Sequence, residues 1–186
     1  SPMSRGLGDV YKRQHMAQAK SIAPANSQTC SDNLVRSGSF ENDKYGWVGS
    51  SVESGIGTHY AVDGEKYLSI RYVDDEPTGM MYQDVIGISA GSELELTFFA
   101  GTNRPDLYTH EGFLEFYNEN GELIGTSTKV DIDFDLEDRP PKLASYLVQA
   151  TAPAGTVAVR VVFTLTGDYI KLDGVSLKAC TPLGTI

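Results

Sequence analysis

From Leu34 onward, apolar and polar side chains alternate with a period of two, and no stretch keeps apolar residues at helical spacing for three turns. The pattern predicts strands throughout. In 92–100, Leu94, Leu96, Phe98 and Ala100 fall on one face and Glu93, Glu95 and Thr97 on the other, the signature of a half-buried antiparallel strand. Val157, Val159, Val161, Phe163 and Leu165 repeat it. Their opposite parity carries Ala158, Arg160, Val162, Thr164 and Thr166, mixed enough to line a groove. Asn120-Gly121, between Phe113-Leu114-Glu115-Phe116-Tyr117 and Glu122-Leu123-Ile124-Gly125, predicts a hairpin because both turn residues tolerate positive φ. Gly87 to Gly91, Pro153 to Gly155 and Gly167-Asp168 punctuate other strands. The predicted strands are 33–39, 66–73, 79–86, 92–100, 111–118, 121–129, 143–150, 156–166 and 169–178. Short strands at this spacing predict an all-β, two-sheet antiparallel β-sandwich.

Length and charge narrow the picture. A chain of 186 residues suffices for one domain with a real core and is short for two. Residues 1–14 are basic, lack alternation and read as an adapter-like extension; 15–29, rich in Ala, Ser, Asn and Gln, read as a disordered linker. The domain is expected over 30–181, with a tail at 182–186. The leading segment has no continuous apolar region, so if the chain is a piece of a larger secreted protein its leader lay upstream. Arg5, Lys12, Arg13 and Lys20, with the single acid Asp9, precede Cys30, which leaves 11 basic against 24 acidic residues, a net −13. Such a field repels phosphate, so nucleic acid and anionic membrane surfaces are excluded as partners. No apolar stretch reaches the roughly 20 residues of a membrane helix.

Cys30 and Cys180, the two cysteines, bracket the folded region. A disulfide between them would close 149 intervening residues and, in the loop-entropy view, contribute about 4 to 5 kcal/mol. It would also imply an oxidising, secreted or cell-surface setting. Two buried unpaired thiols are the alternative.

The ends of the domain carry two short motifs, Asn33-Leu34-Val35-Arg36-Ser37-Gly38-Ser39-Phe40-Glu41 and Ile170-Lys171-Leu172-Asp173-Gly174-Val175-Ser176-Leu177. With Trp47, Tyr67-Leu68, Gln83 and Ala152-Pro153-Ala154-Gly155-Thr156 in order between them, the chain from Cys30 to Cys180 resembles the jelly-roll, galactose-binding-like carbohydrate-binding modules. Ser37 departs from the pattern, which often has Asn there. The resemblance implies a jelly roll whose first and last strands are neighbours, with Trp47 filling the sandwich edge. It also implies a structural calcium ion held by Glu41 and Asp173, with Asp63 and Glu65 as further donors, since calcium takes six to eight oxygens. The alternative is that Glu41 and Asp173 cap turns or pair with Lys44 and Lys171. The run Asp131–Asp138 fails the helix-loop-helix calcium pattern, having Leu136 and Lys142 where Gly and Glu are required. It reads as an acidic, solvated edge strand ended by Pro140 and Pro141.

A sugar ring packs its C–H patches on an aromatic face while its hydroxyls seek polar side chains. Parity sends Phe98, Phe116 and Phe163 inward, and puts Tyr72 with Leu68 and Ile70. The candidate ligand-binding residues are then Tyr67, Arg71, Tyr82, Phe99, Tyr117 and Arg160, with Tyr108 and His110 on the loop 101–111; Glu115 and Gln83 could add hydrogen bonds. A solvent-facing Tyr on a strand also arises from propensity alone. Catalysis finds no motif: there is no Gly-x-Ser-x-Gly elbow, His-Glu-x-x-His pair or phosphate loop. The expectation is a non-catalytic module that binds polysaccharide or glycan, within a larger secreted or surface protein. A structural or adhesive spacer without a glycan site is the alternative.

Overall fold

A computed structural model of the chain describes residues 28–73, 76–137 and 142–182. The chain divides into two compact units, Ser1–Cys30 with Thr181–Ile186, and Ser31–Cys180. The adapter-like 1–14 and the linker as far as residue 27 lie outside the described residues, as do 138–141 and 183–186. Gln28 and Thr29, the end of the expected linker, belong to strand β1 (Gln28–Cys30).

The remaining strands are β2 (Val48–Ser50), β3 (Val52–Gly57), β4 (Tyr67–Tyr72), β5 (Gly79–Ile86), β6 (Glu93–Thr102), β7 (His110–Tyr117), β8 (Leu123–Thr126), β9 (Val130–Asp131), β10 (Ala144–Thr151), β11 (Ala158–Leu165) and β12 (Tyr169–Pro182). One sheet runs β10-β6-β12-β4-β3 and the other β2-β5-β11-β7-β8, with β9 on β7. The ladders of the named strands are antiparallel, so the all-β sandwich predicted by alternation is what forms.

The inner parities meet as one core. Leu94, Leu96, Phe98 and Ala100 of β6 and Val159, Val161, Phe163 and Leu165 of β11 are all buried, and Phe98 meets Phe163 edge-on at 4.9 Å. Trp47 closes the edge near Phe40 and Phe163 at 5.9 and 6.0 Å, its indole N–H donating to the Arg36 carbonyl at 3.1 Å. This burial of aromatic area is the main stabilising term.

Three local departures from the predicted strands have physical causes. Residues 33–39 are not a strand, although they do lie beside β12: the Leu34 N–H donates to the Leu177 carbonyl at 2.8 Å and the Val175 N–H to the Gly38 carbonyl at 2.9 Å. Between these, the Asn33 amide substitutes for backbone, its Oδ1 accepting from the Leu177 and Val35 N–H groups and its Nδ2 donating to the Val175 carbonyl. Ser37 and Phe40, at φ of 50° and 56°, then turn the chain away. The second departure is the pair β2 and β3, which the alternation did not reveal because their residues are mostly solvated. Ser51, at φ 54°, is the single residue by which the chain leaves one sheet and joins the other.

In the third, the stretch predicted as 121–129 breaks into β8 and β9, and the acidic run that follows is largely irregular. Its apolar Ile132 and Leu136 are buried and it lies along the end of β6, the Thr102 N–H donating to the Phe134 carbonyl at 2.9 Å and the Leu136 N–H to Thr102 at 3.0 Å.

Candidate functional site

The outer parity of the β2-β5-β11-β7-β8 sheet forms three rows across the strands, about 6.6 Å apart. The first row is Val48, Tyr82, Val162 and Phe113; the second is Asp84, Arg160, Glu115 and Thr126; the third is Ile86, Ala158, Tyr117 and Leu123. A charged row thus lies between two apolar rows. Ile86, Leu123 and Val48 are 84%, 53% and 47% exposed, an unusual concentration of solvated apolar side chains on one face.

Arg160 organises the centre. Its Nε and Nη2 donate to the two Asp84 carboxylate oxygens at 2.7 and 3.0 Å, a fork that holds the guanidinium plane. The guanidinium carbon stands 3.9 Å from the Tyr82 ring centroid and 5.1 Å from that of Tyr117, so each ring gains a cation contact of about 0.5 to 1 kcal/mol. The Tyr117 hydroxyl donates to Glu115 Oε2 at 3.0 Å. The hydrogen bond to Asp84 holds the Arg160 guanidinium above its ordinary pKa; burial first, then the Glu115 hydrogen bond, pushes the Tyr117 phenol up. All these groups keep their ordinary charge states near neutrality. The assembly presents aromatic edges and faces, a fixed donor and fixed acceptors to solvent, without a proton poised for transfer.

Three of the eight candidate ligand residues, Tyr82, Tyr117 and Arg160, therefore come together, with Glu115 among them. Gln83 points inward and bonds Arg36, its Oε1 accepting from the backbone N–H at 2.7 Å and its Nε2 donating to the carbonyl at 2.9 Å. Arg71 and Tyr108 lie elsewhere, lining one cleft with Tyr72, Thr166, Gly167 and Asp168. Tyr67 is on the outer parity of β4 and yet buried, its ring edge-on to Tyr60 at 5.4 Å. Phe99, on the outer parity of β6, packs near Gly174. His110 has inner parity and is 2% exposed; its Nε2 donates to the Gly167 carbonyl at 3.0 Å. Sequence reasoning passed over Asp84, Val48, Ile86 and Leu123. Asp84 was within reach, since it shares parity with Tyr82 two residues before it.

Glu41 and Asp173 converge on the turn 62–66. Asp173, fully buried, accepts from the N–H groups of Val62 at 2.6 Å and Asp63 at 2.8 Å through Oδ2, and from Gly174 at 2.8 Å through Oδ1. Glu41 Oε1 accepts from Glu65 and Lys66 N–H at 2.9 and 2.7 Å. Gly64, at φ 88°, has room for no side chain, since a Cβ there would lie 2.4 Å from the Glu41 carboxyl carbon. Burial raises the Asp173 pKa against the pull of its three N–H donors. Among the described residues no three of His, Cys, Asp and Glu gather as a metal set. A calcium ion would thus fit only by sharing the second lone pairs of these two carboxylates with backbone carbonyls of the turn. Cys30 and Cys180 are both disulfide-bonded.

No family model matches the chain, and no curated protein matches it. Solved structures do. The enzymatically active domain of bacteriophage CBA120 tailspike protein 4 superposes with a TM-score of 0.65 at 16% identity, over 78% of this chain and 21% of that one. A family 16 carbohydrate-binding module gives 0.57 at 16% identity, over 78% and 99%. A xylan-binding domain of carbohydrate-binding module family 22 gives 0.58 at 14% identity, over 84% and 98%. The chain thus spans about a fifth of the tailspike domain and nearly all of the two modules. What is shared at these identities is the fold, that of the jelly-roll carbohydrate-binding modules.

Proposed function

We propose that the chain is a non-catalytic carbohydrate-binding module that holds the interior of a glycan chain across the outer face of the β2-β5-β11-β7-β8 sheet. The observation that carries this reading is the placement of two half-buried tyrosines, Tyr82 and Tyr117, on either side of one guanidinium on a solvated face. Sugar rings lie on the tyrosines and on the flanking apolar rows, and their hydroxyls exchange hydrogen bonds with Arg160, Asp84 and Glu115. The platform has no wall at either edge strand, which suits a polymer passing over it. The fold shared with carbohydrate-binding modules supports the same reading.

Retention on insoluble polysaccharides tests it. The wild-type chain is expected to be held by at least one neutral glycan, and Tyr117→Ala to weaken that retention roughly tenfold or more, as loss of a central aromatic anchor does. No retention on any glycan would leave the structural spacer in its place.

Two accessory proposals accompany this function. The disulfide supports residence in an oxidising, extracellular or cell-surface compartment, within a larger protein. Calcium at Glu41 and Asp173, with the turn of Asp63 and Glu65, would act as a structural clamp between that turn and β12, stabilising the fold by binding only its folded form.

A further inference from the structure

A cleft of about 400 Å³ is lined by Arg71, Tyr72, Tyr108, Thr166, Gly167 and Asp168. Three separate pieces of chain build it: the end of β4, the loop between β6 and β7, and the turn between β11 and β12. None of the platform residues contributes. Its volume lies at the low end of the small-ligand range.

The aromatic wall is set by the turn. Tyr108 lies so close over Gly167 that a Cβ on the glycine would be 2.3 Å from its ring. The next residue, Asp168, is held at φ 57°, a conformation that costs energy for a side-chain-bearing residue and is concentrated at ligand sites. Asp168 is anchored at both ends: its carbonyl accepts from the Tyr72 N–H at 2.8 Å and its Oδ2 from Asn103 Nδ2 at 3.1 Å. On the β4 wall, Arg71 is fixed by Glu53 at 2.6 Å, which uses one of its five N–H donors.

We infer that this cleft is a second sugar site, which takes a single terminal sugar residue of a glycan, where the platform takes the chain's interior. A pyranose or furanose end offers one C–H face and neighbouring hydroxyls that each donate and accept. Tyr108, Asp168 and Arg71 supply the aromatic face, the fixed acceptor and the fixed donor in one walled volume. The wall that keeps a polymer from passing through selects an end, and the opposite charges of Arg71 and Asp168 select an uncharged one. This inference rests on the glycan-binding reading, and it divides the binding residues into two independent groups.

Saturation-transfer NMR with free glucose, galactose, xylose and mannose tests it, alongside polysaccharide retention of the same proteins. At least one free sugar should show transfer from the wild-type chain. Tyr108→Ala and Asp168→Asn should weaken that sugar roughly tenfold or more while leaving retention on polysaccharide unchanged, and Tyr117→Ala should do the reverse. Asn tolerates the left-handed conformation, so the second variant keeps the turn. The inference is overturned if polysaccharide is retained but no free sugar shows transfer, or if the transfer is lost in Tyr117→Ala and kept in Tyr108→Ala. Absence of both sugar transfer and retention would overturn the glycan-binding reading along with it.

Discussion

Arg160 owes its role to geometry that a lysine cannot copy. Two of its nitrogens engage Asp84 while its plane lies against Tyr82, and an ammonium offers neither the fork nor the plane. Arg160→Lys should therefore lose most of the glycan retention, with an unchanged thermal midpoint, because a partly exposed ion pair contributes only about 0.2 to 1 kcal/mol to folding. A melt and a pull-down on the same preparation separate the two effects. His110 acts on stability instead. Burial holds its pKa below the ordinary 6.5, against the opposing effects of the Gly167 hydrogen bond and Asp168. With Nε2–H engaged, Nδ1 is buried without a partner. The folded state favours neutral imidazole, so the stabilisation is complete above pH 6.5 and is lost as pH falls from there toward the lowered folded-state value. Thermal melts between pH 7 and 5.5 should show this decline, and His110→Gln, which can still donate to Gly167, should flatten it.

At the scale of elements, side-chain amides stand in for missing backbone. Gln83, 3% exposed, pairs both backbone groups of Arg36, and Asn33 fills a gap in the ladder of β12. Gln83→Leu leaves a buried N–H and carbonyl unsatisfied and should cost roughly 2 to 3 kcal/mol, read as a lower urea midpoint at unchanged slope. The same substitution of amide for ladder explains why the first predicted strand was only half legible. Its residues alternate like a strand and lie where a strand would lie, but the hydrogen bonds belong to a side chain, which a pattern of apolar positions cannot report. The inner parities of β5, β6, β7 and β11 were legible because burial imposes their period. β2 and β3 were not, because edge strands bury little. For the binding face the limit was different: parity identifies Tyr82, Tyr117 and Arg160 as facing outward, but only the register between strands shows that they share a face. Tyr67, Arg71 and Phe99 are equally outward by parity and lie on the other sheet.

At the scale of the whole molecule, the two stabilising links proposed for the domain act at different places and can be removed one at a time. Opening the Cys30–Cys180 bridge with a reductant frees a loop of 149 residues and should cost up to about 4 to 5 kcal/mol, seen as a lower melting temperature. Chelation should lower the melting temperature further, and added calcium should restore it. A transition indifferent to chelator would mean that the backbone N–H groups around Asp173 and Glu41 hold the turn 62–66 unaided.

The strict alternation along β5, β7 and β11 has one more consequence. Because every second residue faces the core and the others face the ligand, the recognition surface can be rewritten residue by residue with little penalty to folding. A lineage, or an engineer, could exchange Tyr82, Asp84, Glu115, Tyr117 and Arg160 for other side chains and retarget the domain to a different polymer while its interior stayed untouched.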